Sequence, residues 1–437
     1  MTTSSEQPRS GAFERLLARI VKIEHFEIAG ALWSFAYFFS VLCAYYILRP
    51  VRDEMGVAVG PDGLKWLFVI VFLVMLAAVP VFGWVVTHFA RRRIVPVIYG
   101  FFIANLAVFW AVFDTGTHGP VAAGAFFVWA SIFNLFIVSL FWSLMADLWR
   151  NDQAKRLYGF IAAGGTVGAV TGPTITQLLV GVIGPNNLLL VSALLLGFAI
   201  AAAVMLRRLF AGVTEHQTED EPVGRRGLLQ GAVAVWRSPY LFRIALWILL
   251  ANLIGTSFYL EQARIVGETL ADRSARVELF ARVDLAVSLL TILTQVLVTA
   301  RVMHRFGVGV SAAALPAWAV LGLLALAFFP TLAVVITVMA LERTIAFAIA
   351  NPAIKVLYTL VEPEEKYKAQ NFNDTVVFRG GDAASAWALN GLKSLGVGFA
   401  GAMALAVPIA LGWAALSLAL GRQHAARAEQ RPAAPSS

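Results

Sequence analysis

Two arginines, Arg49 and Arg52, stand immediately after an apolar run, residues 28–48, that is long enough to cross a bilayer. Their spacing of three places both on one face if the helix continues, and Asp53, four residues after Arg49, can pair with that arginine. Arginine forks bind phosphate and carboxylate oxygens, and charges at membrane depth usually line a passage. The pattern predicts an anion site in which Arg52 contacts the anion and Asp53 holds Arg49. The alternative is anchoring of the helix end at the headgroups.

Further charges fall inside later apolar runs, where inserting each one costs roughly 2.5–3.5 kcal/mol. Most come as neighbours of opposite sign: Arg282 with Asp284, Glu342 with Arg343, and Arg379 with Asp382. Two interpretations stay open, because the pairs can neutralise each other and fix helix packing, or they can line the passage. Arg379 favours a binding role, since Gly380 and Gly381 follow it and permit close approach of a ligand. In a proton-coupled transporter, Glu342, Asp284 or Asp382 would carry the proton.

Transmembrane helices must position these charges. The chain has 437 residues, 59% of them hydrophobic, and only 14% are charged, against roughly 25% in soluble proteins. This composition predicts an all-α, multi-pass membrane protein. Twelve apolar runs are long enough to span a bilayer, at 28–48, 64–87, 94–114, 121–146, 157–183, 187–206, 242–260, 277–300, 309–329, 331–355, 370–392 and 397–420.

Lysines and arginines alternate between the loops that join these runs. The loops around Asp114 and Pro330 hold none, whereas the alternate loops are basic, at 91–93, 150–156, 207–237, 301–305 and 366–368. The loops 49–63 and 261–276 break this alternation, since each holds basic residues together with acids. The positive-inside rule therefore places both termini in the cytoplasm, and we expect a multi-pass protein of the cell inner membrane. The same rule accounts for the net charge of +8, so no nucleic-acid partner is expected.

The second half of the chain repeats features of the first at a shift of about 210 residues, which brings Arg49 and Arg52 near Glu261 and Arg264. Two six-helix halves in the same orientation resemble the major facilitator arrangement, in which the substrate site lies between the halves. Arg264 would then present a second guanidinium group to the anion. The expected divisions are an N-terminal segment 1–27, a first half 28–206, a central loop 207–241, a second half 242–420 and a tail 421–437.

Two loops that correspond in this repeat carry complementary charges. One loop holds Asp152, Lys155 and Arg156, and the other holds Glu362 and Lys366. We expect these residues to form a cytoplasmic gate, in which the two loops approach each other when the transporter is open outward.

The fifth apolar run holds glycines at every fourth position, Gly164, Gly168 and Gly172. Such a stripe lets two helices approach closely, so the pattern predicts a tight helix contact. The stretch from Gly168 to Pro173 also resembles part of the fifth-helix signature of major facilitator antiporters.

Three motifs resemble one transporter family. Residues 48–53 read LRPVRD, residues 152–158 read DQAKRLY, and residues 358–374 hold an acid, two lysines and an aspartate. They are similar to the L-R-x-x-K-D, D-E-A-K-R-x-Y and late motifs of the nucleotide (ATP/ADP) translocases of plastids and intracellular bacteria. Arg52 stands at a lysine position of that family, and Lys355 lies one position from another. The resemblance implies nucleotide exchange, with basic residues as phosphate ligands.

These features predict a secondary transporter that moves an anionic, phosphorylated small molecule by alternating access, working as an exchanger. Its substrate-binding residues would be Arg49, Arg52, Arg264, Lys355 and Arg379. The alternatives are a proton-coupled exporter of drugs or metabolites and a non-transporting membrane scaffold. No catalytic, cofactor or metal motif is recognisable, so we expect neither enzyme activity nor a cofactor. The expected partners are the substrate and membrane lipids, and the expected state is a monomer.

Overall fold

The computed structural model describes residues 27–88, 91–116, 119–210 and 225–430, and this part of the chain is helical with no strand. Most of the predicted N-terminal segment, the middle of the central loop and the end of the tail lie outside the described residues. The α-helices are α1 Ile28–Val59, α2 Pro61–His88, α3 Arg91–Asp114, α4 Pro120–Leu148, α5 Asn151–Leu209, α6 Arg225–Arg237, α7 Pro239–Thr269, α8 Arg273–Thr294, α9 Ala300–Phe328, α10 Leu332–Ile345, α11 Asn351–Leu357, α12 Pro363–Phe372, α13 Phe378–Ser394 and α14 Phe399–Glu429.

These helices form twelve membrane crossings, as the sequence predicts. Within the described residues, nine continuous helical stretches are long and apolar enough to span a bilayer. Helix α5 contains two crossings, because Gly184 takes a positive φ of 78° and bends the chain back. Gly307, inside α9, bends the chain in the same way with φ 79°. The continuous stretch from α8 to the end of α9 therefore also contains two crossings. The remaining crossing, α12 with α13, is rich in charged and polar residues and is less hydrophobic than the others.

Helix α1 differs from its predicted form in length. It continues to Val59 instead of ending at residue 48, with Pro50 inside it. Arg49 and Arg52 therefore lie within a transmembrane helix and not at its headgroup end. Because the helix is surrounded by other helices, the side chains of Arg49 and Arg52 are directed into the protein. Anchoring of the helix end at the headgroups, the alternative interpretation, therefore no longer applies.

The glycine stripe of α5 packs against α1. A Cβ added to Gly164, Gly168 or Gly172 would collide with the main-chain oxygen of Phe35, Phe39 or Cys43 respectively. The predicted close helix contact is therefore confirmed, and it holds α1 firmly within the first half.

Three transmembrane helices of the second half contain a π-helical turn, which the sequence analysis did not predict. The turns span Gln295–Thr299, Ala346–Ala350 and Asn373–Val377. A π turn displaces main-chain carbonyls from their regular partners, and such turns are frequent at functional sites. Here the side chain of Gln295 donates to the carbonyl of Phe347 at 3.3 Å, and Thr299 donates to that of Ala348 at 2.7 Å. The first two turns are thus bonded to each other.

The two halves are joined by charged residues at the end of the molecule opposite to the chain termini, which we call the closed end. Glu54 of α1 is 2% exposed and binds Arg273 of α8, with 2.8 Å between the carboxylate and Nε. Arg276 approaches the same carboxylate at 3.9 Å, and Arg273 also donates to Asn186 at 2.7 Å. We call Glu54, Asn186, Arg273 and Arg276 the closed-end cluster. Lys393 and Asp62, 3.7 Å apart, add a second link between the halves.

Candidate functional site

A cavity of about 280 Å³ lies between the two halves, near the middle of the membrane crossings. Arg49 and Arg52 reach it from α1, whereas Arg343 reaches it from α10 and Arg379 from α13. Four guanidinium groups therefore converge from both halves. Its wall is completed by Phe68, Trp247, Ala251, Asn252, Gly255, Thr256, Tyr259, Gln262, Leu315, Met339, Ala346, Phe347, Asn351 and Phe378, with the acids Asp53, Glu342 and Asp382.

Asp284 of α8 is shared by two of these arginines. Its carboxylate lies 2.6 Å from Arg343 and 3.7 Å from Arg49, and the residue is 1% exposed. The predicted pairing of Arg49 with Asp53 is therefore wrong, and so is that of Arg282 with Asp284. Arg282 binds Glu278 one turn earlier, on an exposed part of α8.

Arg52 is the arginine that lies next to Asp53, at 3.6 Å. The hydroxyl of Tyr259 donates to the same carboxylate at 3.3 Å, which links α1 to α7 across the two halves. The Arg52 guanidinium also lies over the ring of Phe127, 4.2 Å from its centroid, a favourable cation–π position. Arg52 is thus held in place without using its hydrogen-bond donors.

The arginine donors are under-used. The carboxylates nearest Arg49 and Arg52 lie beyond hydrogen-bond distance, and neither guanidinium group donates a hydrogen bond to a described residue. The Nε atoms of Arg49, Arg52 and Arg343 are buried without a hydrogen-bond partner in the described part of the chain. Each buried unsatisfied donor costs about 1–3 kcal/mol. An oxyanion in the cavity would offer acceptors to these groups.

The acids of the site differ in how they are paired. Asp382 accepts from Thr256 at 2.9 Å and lies 3.5 Å from Arg379, so it has two partners. Asp284 is held by two arginines, as described above. Glu342, in contrast, has no ion pair or hydrogen bond with any described residue, although it lines the cavity. The predicted pairing of Glu342 with Arg343 is wrong, because the Arg343 guanidinium turns toward Asp284 and binds that carboxylate instead.

Two predicted substrate ligands lie away from this cavity. Lys355 is 57% exposed at the end of α11 and lies 3.3 Å from Asp374. Arg264 binds both Glu261 and Glu268 on its own helix and lines a different cavity near the closed end. Five residues separate it from Tyr259, which turns it about 140° around the helix from the face that meets Asp53. The structure therefore corrects the expectation that Arg264 and Arg52 face one anion.

The predicted gate residues do not meet in this structure. Arg156 binds Glu27 of its own half at 2.9 Å, and Asp152 lies 3.6 Å from Arg150. Lys155 and Glu362 are exposed, and the Nζ of Lys366 lies 5.7 Å from the ring centroid of Tyr367. These residues make no described ion pair between the two loops, while the opposite end is closed. Because the gate is expected to close in the other state, it stays a prediction.

Several lining residues escaped the sequence analysis. Arg343 stands beside Glu342 in the sequence, which favours a local pair, and only its contact with Asp284 shows that it lies on the cavity wall. Asn252 and Thr256 stand four apart on α7, and Tyr259 follows three later, which gives one polar face within an apolar run. This polar face is the feature of the sequence that could have predicted these three lining residues.

Two packed bundles around a polar, arginine-lined cavity define the class of protein as a multi-pass membrane transporter. The chain belongs to the Major Facilitator Superfamily, whose family model matches residues 28–381. No curated protein sequence matches the chain significantly.

Solved transporter structures share this fold. A mutant of the nucleoside transporter NupG is similar with a TM-score of 0.62 and 14% identity, covering 91% of this chain and 99% of the other. An auto-inhibited peptide transporter of the POT family has a TM-score of 0.61 at 13% identity, covering 93% and 98%. An inward-facing bacterial homologue of the iron transporter ferroportin has a TM-score of 0.63 at 14% identity, covering 90% and 100%. At these identities the similarity extends to the fold alone.

Proposed function

We propose that this transporter carries a small molecule with an oxyanion group, such as a phosphate ester, by alternating access of the central cavity. The observation that carries the proposal is the convergence of Arg49 and Arg52 with Arg343 and Arg379 on one cavity. Arg49 and Arg52 donate no hydrogen bond to a described residue, so two guanidinium forks have donors left for oxygen atoms. Because arginines from both halves contact the cavity, one anion can stay bound while the two halves rock against each other.

The charge of the cavity favours a substrate with one anionic group. Counting Asp284 behind the wall, four arginines are balanced by four carboxylates, Asp53, Asp284, Glu342 and Asp382. A triphosphate chain would bring several uncompensated charges to this site. Within the nucleotide-like class implied by the family resemblance, a monoester is therefore the better candidate.

Exchange of one anion for another is the mechanism that we favour. An empty cavity leaves buried guanidinium donors unsatisfied at about 1–3 kcal/mol each. Returning empty would carry this cost through the closed intermediate, whereas returning with a second anion would not. Omitting the internal anion from proteoliposomes should consequently slow uptake strongly, and uptake at the same rate would argue against exchange.

A specific observation supports proton coupling as the second candidate. Glu342 is the cavity-lining carboxylate without a described partner, whereas Asp284 and Asp382 are held by arginines. A proton on Glu342 would leave the cavity with one net positive charge, which a monoanion would neutralise. Under this mechanism Glu342→Gln should bind the anion but lose the acceleration of uptake by an inward proton gradient. Retention of that acceleration would exclude Glu342 as the proton carrier.

We further propose that both termini face the cytoplasm of an inner membrane, from the alternation of basic loops. The closed end would then face outward. A cysteine at Asn186 in a Cys43→Ser background should react with an impermeant reagent added outside intact cells. Reaction only after the membrane is opened would reverse the orientation.

The anion site is tested by Arg52→Ala. Loss of charged hydrogen bonds, worth about 1.5–3 kcal/mol, should weaken methyl phosphate binding about ten- to a hundredfold. Arg52→Lys keeps the charge but loses the bidentate fork, so it should bind weakly. Binding is read from the melting temperature as methyl phosphate is titrated, since a ligand of the folded state raises it.

Arg282→Ala provides the matched control, because Arg282 is a 65% exposed arginine that pairs with Glu278 outside the cavity. It should bind methyl phosphate like the unaltered protein. Equal affinity of Arg52→Ala and Arg282→Ala would reject the anion site.

A further inference from the structure

A second cavity of about 310 Å³ adjoins the central one, between α1 and α5 of the first half and α8 and α10 of the second. The two cavities share Arg343 and Phe347 as lining residues. A molecule whose anionic group lies at Arg343 would therefore have room to extend into the second cavity. We call this second cavity the side lobe.

The lining of the side lobe differs from that of the central cavity. Arg343 is the one charged residue among the described side chains that line it. The rest are apolar or carry uncharged hydrogen-bonding groups, including Thr166, Ser288, Thr291 and Gln295. A charged group placed in the lobe away from Arg343 would be desolvated without a counter-charge. The side lobe consequently suits an uncharged part of a ligand.

Two groups in the side lobe have unused capacity. The hydroxyl of Thr291 is buried without a hydrogen-bond partner in the described part of the chain. Phe347, at the junction with the central cavity, is 42% exposed and makes no ring contact with a described residue. The hydroxyl of Ser288 is already engaged, since it donates to the carbonyl of Ala169 at 3.1 Å. The lobe thus offers an uncovered aromatic face and a free hydroxyl close to an arginine.

The space itself is created by small residues of α5. Ala162, Gly165, Thr166 and Ala169 form one wall, and none of them extends far into the lobe. Gly165 is in tight contact with Phe38 and cannot be enlarged without displacing that ring. Thr166, in contrast, is exposed, and its hydroxyl bonds only to the carbonyl of Ala162 on its own helix. Position 166 can therefore carry a larger side chain that fills the lobe.

We infer that the side lobe binds the uncharged, ring-containing body of an organic anion whose single oxyanion group is bound by the central arginines. The inference rests on the proposed function and adds the substrate class to it. Arg343 binds the oxyanion where the two cavities meet, and the ring of the substrate packs against Phe347. The hydroxyl of Thr291 forms a hydrogen bond with a polar group at the edge of that ring. The substrate is thus an aromatic or heterocyclic monoester and not inorganic phosphate.

The test compares three phosphate monoesters with the same anionic group: methyl, phenyl and n-hexyl phosphate. Their affinities for the purified, full-length transporter are measured by calorimetry in detergent. Phenyl phosphate should bind at least about tenfold more tightly than methyl phosphate, because its ring becomes buried against Phe347. Phenyl phosphate should also bind more tightly than n-hexyl phosphate, which has the same number of carbon atoms but no ring.

Thr166→Trp should remove the advantage of phenyl phosphate and leave methyl phosphate binding unchanged. The matched control is Val167→Trp, because Val167 is the next residue of α5, is exposed and does not line the lobe. That variant should retain the full preference. Thr166→Leu, with a smaller side chain, should give a partial loss, and it provides the same test if Thr166→Trp does not fold.

The outcomes separate the two proposals. Equal affinities of methyl and phenyl phosphate, or an equal loss in Thr166→Trp and Val167→Trp, would overturn the side-lobe inference and leave the anion site standing. Tighter binding of n-hexyl phosphate than of phenyl phosphate would assign the lobe to an acyl chain and also overturn it. Binding of none of the three esters would reject the proposed function, and the inference with it.

Discussion

The central arginines and the closed-end cluster both bring charges from the two halves together, but only one of them satisfies its hydrogen-bonding groups. At the closed end, Arg273 donates to Glu54 and to Asn186. In the cavity, Arg49 and Arg52 donate to no described residue. Buried charge is common to both regions. The unused donors are what distinguish a candidate ligand site from a structural link.

The two regions should therefore respond differently to substitution. Removing a charge from the closed-end cluster weakens a contact that exists in one conformation, so the balance of conformations should change. Removing an arginine from the cavity removes hydrogen-bond donors for the substrate's oxygen atoms, so the affinity for the substrate should fall. Three predictions test this separation, beginning with the largest expected effect.

Asp284→Ala should be the most destabilising change, because it leaves Arg49 and Arg343 without the buried carboxylate that they share. Breaking a buried charge pair costs about 3–5 kcal/mol, so the melting temperature should fall clearly. Methyl phosphate should restore part of that fall, since its oxyanion replaces the lost carboxylate. The control is Glu278→Ala, at an exposed pair with Arg282, where about 0–1 kcal/mol is expected. Equal melting temperatures for the two variants would contradict the cluster as we describe it.

Glu54→Gln should mainly shift the conformational balance. It keeps the size of the side chain but loses charged hydrogen bonds to Arg273, worth about 1.5–3 kcal/mol, so closed-end opening should increase about ten- to a hundredfold. A cysteine at Asn252, on the cavity wall, should then react faster with a reagent added at the closed end in a Cys43→Ser background. Asp62→Asn, at a 75% exposed link to Lys393, should have a much smaller effect. Weaker methyl phosphate binding with unchanged labelling would make Glu54 part of the site.

Lys355→Ala should have the smallest effect. Its exposed pair with Asp374 contributes about 0.2–1 kcal/mol and lies outside the cavity. Methyl phosphate affinity, measured by thermal shift, should stay within about threefold of the original value. Arg264→Ala should likewise retain that affinity, because Arg264 lies at another cavity. A tenfold loss of methyl phosphate affinity in the Lys355 variant would place this lysine in the anion site and contradict the assignment of binding to the central arginines.

The sequence alone determined the membrane fold. Runs of about 20 apolar residues specify crossings without reference to anything else in the chain, because a bilayer requires that length. The glycines of α5 specified a close helix contact for a similarly local reason, since their missing side chains leave space for a neighbouring backbone. The sequence also singled out Arg49, Arg52 and Arg379, which the structure places on one cavity. Their role in binding and the boundaries of the two halves stay predictions.

Tertiary structure alone decided which charges meet between helices, whereas the pair of Arg379 and Asp382 on one helix follows from their spacing. Arg49 pairs with Asp284, far away in the chain, and not with Asp53 one turn further on. Arg343 turns to the same carboxylate and not to its neighbour Glu342. Spacing along a helix fixes only the direction in which a side chain points, whereas the packing of helices from the two halves fixes what lies in that direction. The same packing leaves Arg49 and Arg52 with unused donors, places Arg264 and Lys355 elsewhere, and opens the side lobe beside Arg343.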